Sequence, residues 1–373
     1  MRLVDSVSKN CRRALVRVDY NLPMRANGEV GDSLRVERTK KTILHLLDQG
    51  TQICLMTHWG QPKGRDETFS VKRLLPTIEN ILGQKVAFDA SDLCQECIPN
   101  NHPITLCENV RFYEGETSND DAFAQLLAQR GDVFVNEAFS VSHRQHASVC
   151  GTAKYLDSYV GFSCARDWQN VQNMREKLSD AIAFVGGCKI QTKLPLVCKL
   201  LPDVQKLVLG ALLGISLRDF LLCEQENESM REYAKITQKY MHKIIFPLDV
   251  RAYGQAIPFD KVINNEGVVD VGPLTEDLYK EEISLSRVLF MNGPVGQYEV
   301  AAGERGTHAI GDALFSQAER NHEFFALLGG GDTVAALMHQ YQWPKNVIFS
   351  SSGGALLYAM THGQLPALEA QKC

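Results

Sequence analysis

Four apolar runs in the first half of the chain end in cations and hydrogen-bonding groups: Arg17-Val-Asp19-Tyr-Asn21, Thr57-His58-Trp59-Gly60-Gln61-Pro62, Glu108-Asn-Val-Arg111-Phe112 and Asn136-Glu-Ala-Phe-Ser-Val-Ser-His143-Arg144. In the second half the corresponding runs end in glycine and lysine: Gly186-Gly187-Cys-Lys189-Ile-Gln-Thr-Lys193, Asn292-Gly293-Pro294 and Gly329-Gly330-Gly331-Asp332-Thr333. The first set suits an anionic small molecule. The second suits a polyphosphate, because bare backbone amides beside a helix start favour negative charge. Two sets of unlike chemistry suggest two ligands and one reaction between them. In open parallel sheets ligands bind beyond the carboxyl ends of the strands, so residues placed there are candidates for function.

Within these sets, Asp332 is a candidate magnesium ligand acting through phosphate oxygens, and Thr333 a hydroxyl donor. Lys189 and Lys193 lie four apart at a helix start and share a face, from which both can reach phosphates; a solvated surface pair has the same spacing. Arg17, Arg111 and Arg144 follow apolar runs in separate strands, whose ends converge in space. His58 joins them, although a lone histidine there also reads as a structural, hydrogen-bonded one. Neither G-x-x-x-x-G-K-[ST] nor G-x-G-x-x-G occurs, which leaves a Walker ATPase unsupported and weakens a dinucleotide reading. No serine, histidine and carboxylate set forms a nucleophilic triad. A carboxylate or phosphate acceptor is already ionised and needs no base, so cations and oriented amides suffice for phosphoryl transfer.

Elements must carry these groups. Strand-like runs at 14–18, 52–56, 105–106 and 133–135, then at 182–185, 206–209, 243–246, 288–291, 324–328 and 347–349, alternate with amphipathic segments. One of these, at 70–83, carries apolar residues at helical spacing, with Ser70 as N-cap, Pro76 limiting its first turns and Gly83 past its end. Strand, helix, strand implies an α/β fold with parallel sheets and helices on both faces. The polar, helix-compatible stretch 166–180 divides the cation-ended set from the glycine-ended set and reads as an interdomain helix. The tail after Gly354 is expected to pack back onto a domain.

With 373 residues the length prior is roughly 2.5 domains. Hydrophobic residues at 45% and charged residues at 22% can build a sizeable core, and the net charge of -5 disfavours nucleic acid and anionic membrane as partners. No signal peptide or spanning segment is legible, and 11 scattered cysteines read as thiols in a reducing compartment, so a cytoplasmic location is expected. Cys94, Cys97, His102 and Cys107 have zinc-knuckle spacing. Cys107, however, closes an apolar run leading to Arg111, and strand geometry would draw it away from the others. The pattern is read as a coincidence.

In order and over nearly the whole chain, these motifs, with Asn292-Gly-Pro-x-Gly296-x-x-Glu299 and Gly306-Thr307, resemble those of phosphoglycerate kinases. The resemblance implies two doubly wound, Rossmann-like parallel-sheet domains joined by a hinge helix: residues 1–165 for the acid, 166–180 as the helix, 181–354 for the nucleotide, and 355–373 as a tail packing toward the first domain. It implies domain closure and reversible phosphoryl transfer between ATP and the carboxylate of 3-phosphoglycerate, with Mg2+, by a monomer. By position, Arg17, Asp19, Asn21, Arg35, His58, Trp59, Gly60, Gln61, Arg111 and Arg144 would bind the acid. Lys193, Asn292, Glu299, Gly329, Gly330, Gly331, Asp332 and Thr333 would bind the nucleotide, with Asp332 on the metal. Arg35, Lys189, Gly330 and Gly331 would serve the transfer itself.

Departures from the family pattern lie around this centre. Trp59 and Gln61 alter His-Leu-Gly-Arg-Pro and remove an arginine expected at the phosphate end of the acid. Glu137 and Ser140 alter Asn-Asp-Ala-Phe-Gly, Gly210-Ala211-Leu212 replaces a glycine run near the adenine site, and residues 266–269 replace Trp-x-Gly-Leu there. Ser352 and Tyr358 replace a glycine and a glutamate. A kinase for another anionic acid, or a nucleotide-binding relative with little turnover, are the alternative readings.

Overall fold

Short runs rich in β-branched residues, bounded by polar turns, form the strands of this chain, and longer amphipathic segments form the helices between them. The computed structural model describes residues 1–25, 30–31, 33–95, 101–187, 190–223 and 227–371. The chain divides into two compact units, residues 1–169 with 364–373, and residues 170–363.

The first unit is built on a six-stranded parallel sheet of β1 (Arg13–Val18), β2 (Gln52–Met56), β3 (Ala87–Asp89), β4 (Ile104–Cys107), β5 (Val133–Glu137) and β6 (Asp157–Val160). Its order is β3-β4-β2-β1-β5-β6, so β1 pairs with β2 on one side and β5 on the other. Connections run in opposite directions from β1, which opens a crevice beyond its carboxyl end. Every residue of β5, and all of β1 after Arg13, is buried, as expected of parallel strands covered on both faces.

The second unit contains β7 (Ala181–Val185), β8 (Lys206–Leu209), β9 (Ile244–Ile245), β13 (Val288–Asn292), β14 (Phe325–Gly329) and β15 (Val347–Ser350), all parallel and ordered β15-β14-β13-β7-β8-β9. Here the reversal falls between β7 and β13. Between β9 and β13 the chain inserts an antiparallel sheet, β11-β10-β12, of β10 (Asp249–Ala252), β11 (Gln255–Pro258) and β12 (Val268–Val271). This sheet departs from the purely parallel reading. Its hairpin turns at Tyr253-Gly254, both with positive φ (51° and 76°), a tight turn carried by Tyr-Gly instead of the usual Asn-Gly.

The segment at 70–83 forms a 3-10 turn, Val71–Leu74, then an α-helix, Leu75–Leu82, with Pro76 in its first turn and Gly83 closing it at φ 68°. Ser70 does not cap this helix; its hydroxyl donates to Glu108 Oε2 at 2.8 Å. The helix expected at 166–180 starts earlier, as Phe162–Glu176, and is followed by a 3-10 turn, Leu178–Asp180. The helix Gly353–His362 runs through the position expected to begin the tail, and only residues 364–373 group with the first unit, where Ala367 N donates to Ser142 O at 3.1 Å. Cys107 lies in β4 with its Sγ 3.2 Å from that of Cys54, as the strand reading requires; Cys97 lies outside the described residues, and among those described no cluster suited to a metal ion occurs.

Glu137, at the end of β5, caps the helix Phe162–Glu176. Its carboxylate accepts from Ser163 N at 3.0 Å, Cys164 N at 3.3 Å and Thr42 Oγ1 at 3.0 Å. Gly161 leaves it room, since a Cβ there would lie 1.9 Å from Oε2. Burial raises this carboxyl to about 7, against the opposing pull of those hydrogen bonds. A folded pKa above the unfolded one gives a stabilising contribution that is present below the ordinary glutamate range and lost as pH rises toward 7. Glu137→Gln should flatten the fall in melting temperature between pH 5 and 7.5, a difference of up to about 3 kcal/mol. Parallel pH profiles for parent and variant would contradict the assignment.

Candidate active site

Arg17 is the penultimate residue of β1 and is 1% exposed. Its Nε donates to Ser148 Oγ at 2.8 Å, Nη1 donates to the carbonyl of Val18, and Nη2 lies 3.2 Å from His58 Nδ1. Ser148 in turn donates from Oγ and N to the two oxygens of Glu116, at 2.7 and 2.9 Å. Burial opposes ionisation of Glu116, but His146, Arg17 and Ser148 together hold its carboxyl below the usual range. Neither Glu116 nor Ser148 carries a motif that sequence reading could find. With every nitrogen engaged, Arg17 acts on His58 and the strand ends rather than on open space.

A guanidinium can only donate, so His58 Nδ1 accepts and the ring proton sits on Nε2. Burial lowers the pKa of His58 well below 6.5, and Arg17, Arg111, Arg144 and Arg35 lower it further. Asp19 faces this histidine, Oδ1 to Nδ1 at 3.8 Å. Its Oδ2 accepts from Arg35 Nη1 and from Ser140 Oγ, and its Oδ1 accepts from Asn21 N at 3.3 Å. Arg35 comes from the helix Leu34–Asp48, whose N-terminus follows the β1 loop.

Asn21 Oδ1 accepts from Gly60 N at 2.9 Å, and Arg111 Nη1 donates to Gly60 O at 2.6 Å. Asn109 clamps the same turn, donating to Trp59 O at 2.8 Å and Phe69 O at 3.0 Å and accepting from Trp59 N and Arg111 N. Trp59 itself packs in the hydrophobic core, its indole donating to Leu22 O at 3.0 Å, so its side chain is not part of the anion-facing surface. Beside this turn lies a cavity of about 760 Å³ whose lining includes Gln61, Lys63, Arg111, Thr117, Arg144 and His146. Arg111 is pushed down to about 10 by burial and by Arg144 and Arg17. Cations crowded enough to depress Arg111 favour an anionic ligand. Of Lys63 and Arg65, the two nearby cations in the sequence, Lys63 lines this cavity and adds charge where Gln61 supplies none.

In the second unit the strand-end loops meet by backbone. A Cβ on Gly186 would lie 1.9 Å from Pro294 O, so only glycine lets the turns after β7 and β13 approach this closely. Asn292 holds the neighbouring strand by donating to Gly329 O at 3.1 Å and accepts from Lys193 Nζ. Lys189 lies outside the described residues. Gly330 takes φ 101° and begins the short helix Gly331–Leu337, on which Asp332 is exposed. Thr333 is fully buried and accepts from Gly293 N at 2.8 Å; its hydroxyl ties two loops together instead of facing a ligand. Ala211 and Leu212 are buried in the hydrophobic core. Glu299 is exposed on the loop before the helix Arg305–Arg320, whose Gly306 N donates to the buried Asp270 at 2.6 Å.

His58 should remain neutral from pH 6 to 8 in the folded chain. Its imidazole resonances, followed by NMR, are expected to stay flat over that range and to report the Nε2–H form; a midpoint near 6.5 would contradict the buried, arginine-flanked geometry.

The family model for phosphoglycerate kinase matches residues 4–363. Among curated relatives, the phosphoglycerate kinase of Helicobacter hepaticus is 33% identical over 386 residues, covering 96% of this chain and 93% of the relative. That of Sinorhizobium fredii is 34% identical over 389 residues, covering 96% and 95%. The solved phosphoglycerate kinase of Coxiella burnetii superposes with a TM-score of 0.82 at 27% identity, covering 99% of this chain and 98% of that one. With two parallel α/β units, the motifs in order and relatives matched almost end to end, the chain belongs to the phosphoglycerate kinase family of phosphotransferases.

Proposed function

We propose that this chain carries out reversible phosphoryl transfer between ATP and the carboxylate of 3-phosphoglycerate, with the acid held at the carboxyl ends of β1, β2 and β5. The observation that carries this reading is the cationic cavity of about 760 Å³ near two linked pairs, the buried Arg17 with His58 and the buried Asp19 with the half-buried Arg35. Arg111, Arg144 and Lys63 suit the phosphate end of the acid. His58 Nε2–H suits an oxygen acceptor, and Asp19, Asn21 and Gly60 fix the turn between them. The acceptor carboxylate is ionised at neutral pH, so no general base is required.

On the nucleotide side, Lys193, Asn292, Glu299, Asp332 and the backbone of Gly329, Gly330 and Gly331 are the residues that would hold ATP. Asp332 is a solvent-facing carboxylate within a glycine-rich turn, a donor set that fits Mg2+, which takes one carboxylate with phosphate and water oxygens. The ion would supply neutralisation of phosphate charge. Arg35 and Lys189 would share the charge of the transferring group. The chain would act as a monomer, and in the cytoplasm, where the eight described cysteines, all of them free thiols, would stay reduced.

A coupled assay in both directions with 3-phosphoglycerate and ATP is the direct test. Arg35→Ala should reduce kcat about a hundredfold, because losing one stabiliser of developing charge costs about 3 kcal/mol. A variant within about threefold of the parent would remove that role. Lys63→Ala should raise the KM for the acid about tenfold, and Gln61→Arg should lower it several-fold, the scale of one charge-assisted contact. Unchanged KM values in both variants would place the phosphate end elsewhere.

A further inference from the structure

Asp19 is buried, and the oxygen that receives Arg35 receives a second donor, the hydroxyl of Ser140. Where the family pattern has glycine, no such donor exists. His58 cannot take its place: its Nδ1 lies 3.8 Å from Oδ1 and already accepts from Arg17. Asn21 N, at 3.3 Å, serves the other oxygen. Without Ser140, Arg35 would be the sole partner of Asp19 Oδ2 among the described residues.

That matters when Arg35 turns toward an anionic ligand. A buried carboxylate oxygen stripped of its partner is costly, so a carboxylate held only by Arg35 would hold Arg35 in return. We infer that Ser140 is a positioning residue for phosphoryl transfer, whose hydroxyl keeps Asp19 hydrogen-bonded while Arg35 shifts its donors to the reacting anion. The hydroxyl is well placed for this. Ser140 sits in the 3-10 turn Phe139–Val141, pinned by Ser142 Oγ donating to Ala138 O and by Asn136 Nδ2 donating to Ser142 Oγ, both at 3.0 Å. The inference rests on the proposed role of Arg35, and the test separates the two.

Steady-state kinetics with 3-phosphoglycerate and ATP would compare the parent, Ser140→Ala, Ser140→Thr, Arg35→Ala and the double variant Arg35→Ala/Ser140→Ala. Ser140→Ala is expected to lower kcat by about five- to tenfold, the scale of one ordinary net hydrogen bond, while the KM for the acid stays within about twofold. Ser140→Thr, which restores a hydroxyl, should recover most of kcat. In the Arg35→Ala background the second substitution should cost nothing further, since its effect passes through Arg35. Equal kcat for Ser140→Ala and parent, an unchanged kcat with raised KM, or a full additional loss in the double variant would each overturn the inference while leaving the acid site intact. Full activity in Arg35→Ala would overturn both.

Discussion

The first unit depends on one buried cation. Arg17 lies next to last in the central strand β1 with 1% of its surface exposed, and removing a guanidinium from water costs several kcal/mol unless it is paired and hydrogen-bonded. The pairing reaches far along the chain: Ser148 and Glu116 on one side, His58 on the other, and the carbonyl of Val18 where the loop after β1 begins. Because each partner belongs to a different strand-end loop, satisfying Arg17 aligns the loops after β1, β2 and β4 and the segment beyond β5. Burial, aided by the same charge, keeps His58 neutral, leaving its Nε2–H as a donor. A structural requirement thereby sets the chemistry of the site's surface.

The second unit solves an equivalent problem with backbone. Its strand ends converge because Gly186 has no side chain to meet Pro294, and Asn292 and Thr333 then fasten β13 to the loops beside it. Charge is sparse there, limited among the described residues of the motifs to Lys193, Glu299 and Asp332. Polyphosphate brings its own charge and is met by amides; a small acid must be met by cations. Under the proposed function, the asymmetry between the two sets of strand ends would follow from that difference in ligand.

Much of this was legible in the residue order, because parallel strands buried on both faces leave continuous apolar runs whose ends are unambiguous. The motifs after β1, β2, β5, β7, β13 and β14 stand where that reading placed them. What escaped it shares a physical cause. The antiparallel strands are four residues long with a Tyr253-Gly254 turn, too short for a clear period. Glu116 and Ser148 meet only through tertiary packing. Trp59 and Thr333 sit inside functional motifs yet turn inward, and a motif does not report which of its side chains face the ligand.

Two of the departures, Glu137 and Ser140, lie three residues apart beyond the core of β5 and reach in different directions. Glu137 extends to the amides of Ser163 and Cys164 at the start of the helix Phe162–Glu176, and Ser140 extends to Asp19. The first adds a methylene where the family has aspartate; the second adds a hydroxyl where it has no side chain. Each longer group finds a hydrogen-bonding partner already in the structure, and neither displaces a cation. Substitutions at this segment therefore adjust how firmly the helix and Asp19 are held, while Arg17 and its partners stay as the fold of β1 requires. Gln61 is the exception, removing charge at the cavity itself, and Lys63 on the same turn is the cation left to answer for it.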